Sequence, residues 1–167
     1  MATSFQVELE QQAERLLAAL LDEQGEHLVS FVLFGSVARG EAVPGSDLDV
    51  LIVLDAVPGA RHERFALFAR ALDRMRREHG PLLAAGQPFD WSPILLSMAE
   101  ARHHSPLYLD MTLEARILHD RAGFFGRVLD GLRERMRALG SRRVTLSDGS
   151  WYWDLKPGYR FGEIIEL

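Results

Sequence analysis

The sequence predicts an α/β fold in which a small sheet of about four strands is flanked by helices. Three observations carry that expectation. An apolar run from Leu28 to Phe34 ends in Phe31, Val32, Leu33 and Phe34, which are bulky, β-prone and uninterrupted, as suits a strand buried on both faces. A second apolar run, Val50 to Leu54, follows after a loop that contains Pro44 and Gly45. Amphipathic stretches at helical spacing lie before, between and after the strand-like runs.

In chain order, Ala13, Leu16, Leu17, Leu20 and Leu21 fall on one helical face, with Glu8, Gln11, Glu14 and Arg15 elsewhere. This first helix is expected to end near Gln24-Gly25, and packing alone accounts for it. The first strand stops abruptly at Gly35-Ser36. Glycine permits the sharp exit and a close backbone approach to a ligand. Ser36 is expected to cap the turn Val37-Ala38-Arg39, where free backbone N–H groups favour a phosphate. Asp47-Leu48-Asp49 then opens the second strand. At i, i+2 spacing in a strand both carboxylates share a face about 7 Å apart. Two like charges so placed repel, and a hard divalent cation such as Mg²⁺, completed by phosphate oxygens, removes the penalty. If the two strands pair antiparallel, the Gly-Ser corner and the aspartates meet at one edge. The plain alternative is a strand–turn–strand unit with solvated aspartates.

Beyond Val57-Pro58-Gly59, a helix is expected from about Arg61 to His79, with Phe65, Phe68, Ala69, Leu72 and Met75 on its apolar side. Its arginines read as a solvated face. Gly80-Pro81 breaks it, and Phe89 to Leu96 reads as a third strand, at an edge because Pro93 cannot donate to a ladder. Ser97 with Glu100 forms a capping box for a short helix. His103-His104 reads as surface, Pro106 to Leu113 as a short helix, and Ala115 to His119 as a short fourth strand. Phe124 to Leu139 is a final helix with Phe125, Val128, Leu129, Leu132 and Met136 as its stripe. Its arginines leave a nucleic-acid footprint open, while Asp130 and Glu134 favour an ion-paired, solvated helix.

The chain is therefore read as a main unit, 1–140, and an aromatic-rich extension, 141–167, that holds Trp151, Tyr152, Trp153, Tyr159 and Phe161. That extension is too aromatic for a disordered tail. It is expected to lie extended across the domain, a partner or a second copy; packing is the plain reading, and a homo-oligomer contact or a substrate lid stays open.

Composition narrows the function classes. The chain has 167 residues, no cysteine and a net charge of −5. Disulfides and thiolate metal sites are excluded, and general nucleic-acid binding is disfavoured. Met1 to Glu10 has no basic start and no apolar stretch, and no segment is long enough to span a membrane, so a cytoplasmic location is expected.

The pattern hydrophobic-Gly35-Ser36, ten residues, then Asp47-Leu48-Asp49-Val50 resembles the nucleotidyltransferase superfamily of DNA polymerase beta. The fuller string GSVARGEAVPGSDLDVLIV is similar to its small branch of minimal nucleotidyltransferases, and the likeness extends over about Leu16 to His119. The resemblance implies a nucleotidyltransferase fold with a small mixed β-sheet. It implies transfer of a nucleoside monophosphate, AMP from ATP, to a hydroxyl acceptor by a two-metal carboxylate mechanism. Gly35 and Ser36 would hold the triphosphate, Asp47 and Asp49 would bind Mg²⁺ or Mn²⁺, and Asp90, the acidic residue of the third strand, would be the third ligand and take the acceptor's proton. The bland reading of Asp90 is a surface aspartate at a strand start. Arg39 would neutralise phosphate charge or, equally, form a structural ion pair. In the minimal branch the acceptor can be a tyrosine of a HEPN-type toxin. The alternative role is an antitoxin subunit that neutralises such a partner by occlusion, with catalysis secondary or lost.

Overall fold

The computed structural model describes residues 3–165, so the first two and last two residues of the expected 1–140 and 141–167 units lie outside it. Helix α1 (Ser4–Gln24) is followed by β1 (Leu28–Leu33), the short helix α2 (Gly35–Arg39), β2 (Leu48–Leu54) and α3 (Arg61–His79). A small hairpin, β3 (Leu83–Ala84) and β4 (Gln87–Pro88), leads into β5 (Trp91–Ser97) and α4 (Met98–Ala101). Then come α5 (Leu107–Glu114), β6 (Arg116–Asp120), α6 (Phe124–Leu139) and a closing hairpin, β7 (Arg142–Thr145) and β8 (Trp151–Asp154).

The main sheet has the order β5-β2-β1-β6. β1 runs antiparallel to both β2 and β6, whereas β2 and β5 are parallel. This is the expected mixed sheet of four strands between helices. Pro93 does lie in an edge strand, β5, where a missing N–H interrupts no second ladder.

Side-chain alternation divides the core in two. Phe31, Leu33, Leu48, Val50, Ile52 and Leu54 pack with Leu9, Leu16 and Leu20 of α1 and Phe68 and Met75 of α3. Val32, Leu51 and Val53 pack on the other face with Tyr108 of α5 and Phe125, Leu129 and Leu132 of α6. Every residue of β1 is buried, as its unbroken apolar run requires, and its one polar member, Ser30, donates to Asp120 Oδ1 at 2.7 Å. Asp120 in turn accepts the N–H groups of Phe125 and Gly126 at 2.9 Å, which fixes the start of α6 against the sheet.

Several local expectations are revised. The left-handed Gly35 lets α2 begin one residue early, so Ser36 lies inside the helix and Phe34 occupies the cap position without a side-chain capping bond. β2 begins at Leu48, so Asp47 stands one residue before the strand. The extension is a β-hairpin, not a single extended strip, and β3–β4 turns through left-handed Ala85 and Gly86. Among the described residues no helix is long and apolar enough to cross a membrane.

One polar clamp ties α3 to the end of β5. Ser97 and Glu100 form the expected capping box, and Arg64 grips Glu100 through two N–H···O bonds of 3.0 and 2.9 Å. The Arg64 guanidinium, joined by the Ser97 backbone N–H, holds the Glu100 carboxyl down at about 2, against an ordinary value of 4.5. A depressed carboxylate adds stability that is complete above its unfolded pKa and is lost as pH falls through the folded one. Denaturant titrations at a series of pH values are expected to show stability falling between pH 4.5 and about 2, and this slope is expected to be shallower in Glu100→Gln.

Candidate active site

The site is created by strand register. β1 leaves the sheet at Phe34, whose N–H donates to the Asp49 carbonyl at 3.2 Å. With Leu33 opposite Val50 and Phe34 opposite Asp49, the next residue, Gly35, lies against the Asp49 side chain. Gly35 has φ 69°, and a Cβ there would overlap Asp49 Oδ2 and stand 3.1 Å from its Cγ. Only glycine satisfies both the backbone and the space. The far side of the turn is held by Gln6 of α1, which is 1% exposed. Its amide donates to the Val37 carbonyl at 2.8 Å and accepts the Ala42 N–H at 3.1 Å. The first helix therefore does more than pack.

Asp49 is half-buried and Asp47 is exposed. Burial pushes the Asp49 carboxyl above its ordinary value; a hydrogen bond from Ser92 opposes this, the Asp47 charge adds to it and Arg39 counteracts it. Ser92 is the register partner of Asp49 on β5, so the parallel pairing delivers it directly. The two aspartates are close enough to feel one another, as their spacing predicts, and neither is neutralised by an arginine ion pair.

Asp49, Gly35 and Arg39 line a cavity of about 170 Å³ whose apolar floor includes Phe34, Leu107, Met111 and Ala115. Asp110 and Glu114, at i, i+4 on α5, complete its rim. Arg39 donates to Glu41 at 2.7 Å and to Glu114 at 3.3 Å, and its guanidinium lies 5.4 Å from the centre of the Trp151 ring. The ion-pair expectation for Arg39 thus describes the ligand-free protein. Glu114 is also gripped by Arg143, whose guanidinium lies 5.0 Å from the same indole. The indole N–H groups of Trp151 and Trp153 both donate to Asp110 Oδ1 at 2.9 Å.

The backbone brings Asp90 level with Asp47, since Leu48 pairs with Trp91 and the Leu48 N–H donates to the Asp90 carbonyl at 2.9 Å. Its exposed side chain, however, lines a larger groove against α3, with His62, Phe65, Arg76 and Trp91. The cavity brings together Gly35, Arg39 and Asp49; Ser36, in α2, and the exposed Asp47 are not among its lining residues, and the Asp90 side chain lines the other groove.

Among the described residues no group of three or more His, Asp or Glu side chains forms a ready cage for a metal ion. The residues present nevertheless fit a hard divalent cation. Asp49, which feels the charge of Asp47, stands against a side-chain-free corner, and Mg²⁺ commonly takes one or two carboxylates plus phosphate oxygens. Sequence reasoning missed Ser92, Asp110, Glu114 and Trp151. A signal existed for Asp110 and Glu114 in their shared helix face, but none of local character existed for Ser92 or Trp151.

Residues 13–86 match the family model described as a nucleotidyltransferase domain. A curated protein of Methanocaldococcus jannaschii, provisionally named a protein adenylyltransferase, is 28% identical over 136 residues, covering 75% of this chain and 87% of the relative. A crystal structure of a toxin–antitoxin with AMP-PNP aligns at 18% identity with TM-score 0.45, over 76% of this chain and 92% of that one. A Sulfolobus solfataricus protein, provisionally described as a nucleotidyltransferase, aligns at 18% identity with TM-score 0.44, over 72% of this chain and 91% of that one.

The raised carboxyl of Asp49 has a stability consequence. The folded chain keeps that proton in a window where the unfolded chain has lost it, so the associated stability is present at low pH and is lost as pH rises through the folded pKa. Asp49→Asn is therefore expected to melt at a higher temperature than the parent at pH 7, with a smaller difference at pH 4, in scanning fluorimetry. Gly35→Ala is expected to lower stability by about 1–2 kcal/mol through the left-handed backbone alone, and to displace the Asp49 side chain, visible in a crystal structure of the variant.

Proposed function

We propose that the chain, which carries a nucleotidyltransferase domain, transfers AMP from ATP to a hydroxyl acceptor on a partner protein. The observation that supports this most is the contact of a side-chain-free corner, Gly35, with a half-buried carboxylate, Asp49, whose neighbour Asp47 repels it. Charge points the same way. Three carboxylates (Asp49, Asp110 and Glu114) line the cavity against one arginine, Arg39. A bare triphosphate would be repelled there, whereas its divalent-cation complex would not.

Asp47 and Asp49 would hold Mg²⁺, or Mn²⁺ in its place, together with phosphate oxygens. When bound, the cation offsets the charge that builds on the phosphates and on the departing pyrophosphate. The Gly35-Ser36 turn leaves room for the phosphates to approach the backbone. In the transfer, the acceptor oxygen bonds to the α-phosphorus, the bond from that phosphorus to the bridging oxygen breaks, and pyrophosphate leaves. The acceptor's proton passes to Asp90, which the parallel pairing sets level with Asp47 and which reaches the acceptor by rotating its exposed side chain away from the α3 groove. Arg39, at the cavity rim, exchanges a carboxylate for a phosphate oxygen. The protein contributes mainly positioning and fixed charge.

The acceptor hydroxyl suits a tyrosine of a HEPN-type partner, in keeping with the adenylyltransferase name of the Methanocaldococcus jannaschii relative. ATP labelled at the α-phosphate, incubated with Mg²⁺, this chain and the product of the adjacent gene, is expected to label that product. Asp47→Ala and Asp49→Ala are expected to abolish the label, and Asp90→Asn to cut its rate by about 10²–10⁴-fold while leaving ATP binding intact. No label with the parent chain would sink the transfer reading. Protection from the partner's toxicity that survives both alanine variants would favour neutralisation by occlusion.

A further inference from the structure

The hairpin β7–β8 does not merely cover the core. Trp153 and Leu155 pack on the α5–α6 side of the sheet, but Trp151 is directed at the rim of the cavity. There it meets Arg39 and Arg143, while its indole N–H is held by Asp110, itself a rim residue. Arg39 thus has three restraints, Glu41, Glu114 and the Trp151 ring, and the two carboxylates would compete with a phosphate for it. The ring does not compete. An aromatic face holds a guanidinium by its quadrupole and leaves the planar N–H fork available.

We infer that the closing hairpin is the third wall of the nucleotide site, and that Trp151 is a positioning residue that acts through Arg39 to strengthen nucleotide binding. When a phosphate replaces Glu114 or Glu41 as the acceptor, the Trp151 face keeps the guanidinium at the rim, so that it does not swing into solvent. Glu114 does not become unpaired in the exchange, because Arg143 still grips it. Arg143 lies two residues from Thr145, the cross-strand partner of Trp151, so one element supplies both the platform for Arg39 and the substitute partner for Glu114. The inference rests on the nucleotide-transfer reading of this cavity and extends it to the 141–167 unit.

The test is equilibrium binding of Mg²⁺·AMP-PNP by calorimetry to the full chain, with near-ultraviolet circular dichroism as the fold check. Trp151→Ala is expected to weaken binding about tenfold, the scale of a partly desolvated cation–π contact. Trp151→Phe, which keeps a π-face, is expected to recover most of that loss, whereas Trp151→Leu, which keeps bulk alone, is not. Arg39→Ala and the double variant Arg39→Ala/Trp151→Ala are expected to bind alike, because the tryptophan acts through the arginine. Affinity unchanged in Trp151→Ala, equal affinities in the phenylalanine and leucine variants, or additive losses in the double variant would each overturn the inference and leave the transfer reading standing. Failure of the parent chain to bind the probe would remove both. If Trp151→Ala does not fold, the comparison of phenylalanine with leucine decides alone.

Discussion

The antiparallel register of β1 on β2 is the constraint from which the site follows. Leu33 opposite Val50 leaves no choice about what comes next: the chain must turn at Gly35 directly against the Asp49 side chain. The register is itself enforced by burial. Each of Val50, Leu51, Ile52 and Val53 is fully buried, on alternating faces, and a slip of one residue would exchange the sets packed on α1–α3 and α5–α6. The contact of Gly35 with Asp49 is thus held by the least negotiable part of the core. The half-buried charge it creates works against stability, and the surrounding apolar sheet supplies the margin that tolerates it.

Around that corner, polar contacts from three distant parts of the chain restrict motion. Gln6 reaches from the first helix to both ends of the turn, Ser92 approaches Asp49 from the neighbouring parallel strand, and Asp110 with Glu114 forms the opposite rim. Apart from Gln6, these groups belong to segments that follow the turn by many residues. The local motif makes the hole, and the later elements decide its depth, its polarity and what can enter it.

This division also sets what could be read without coordinates. The long helices, the Gly-Ser corner and the Asp-x-Asp pair announce themselves because helical periodicity, strand runs and turn chemistry are local, and α3 was placed at its observed bounds, Arg61 to His79. The edge position of β5 was legible from one atom that Pro93 lacks. Ser92 was not, because its partnership with Asp49 exists only once two strands far apart in sequence pair in parallel. The direction of the Asp90 side chain is likewise a tertiary fact, fixed by the groove that α3 makes with β5. Ser36 misled because its chemistry suits a cap, while the positive φ of the preceding glycine started the helix earlier. The aromatic extension looked structural, and its hairpin had a local signal that went unused, the Asp148-Gly149 turn between the two strand runs.

Both indoles of that hairpin donate to the same oxygen, Oδ1 of Asp110. A single atom is therefore the fastening for two rings, one bound for the core and one for the cavity. Detach it and both rings lose their one shared polar tether, so the C-terminal hairpin and the cavity rim are coupled through one helix turn of α5.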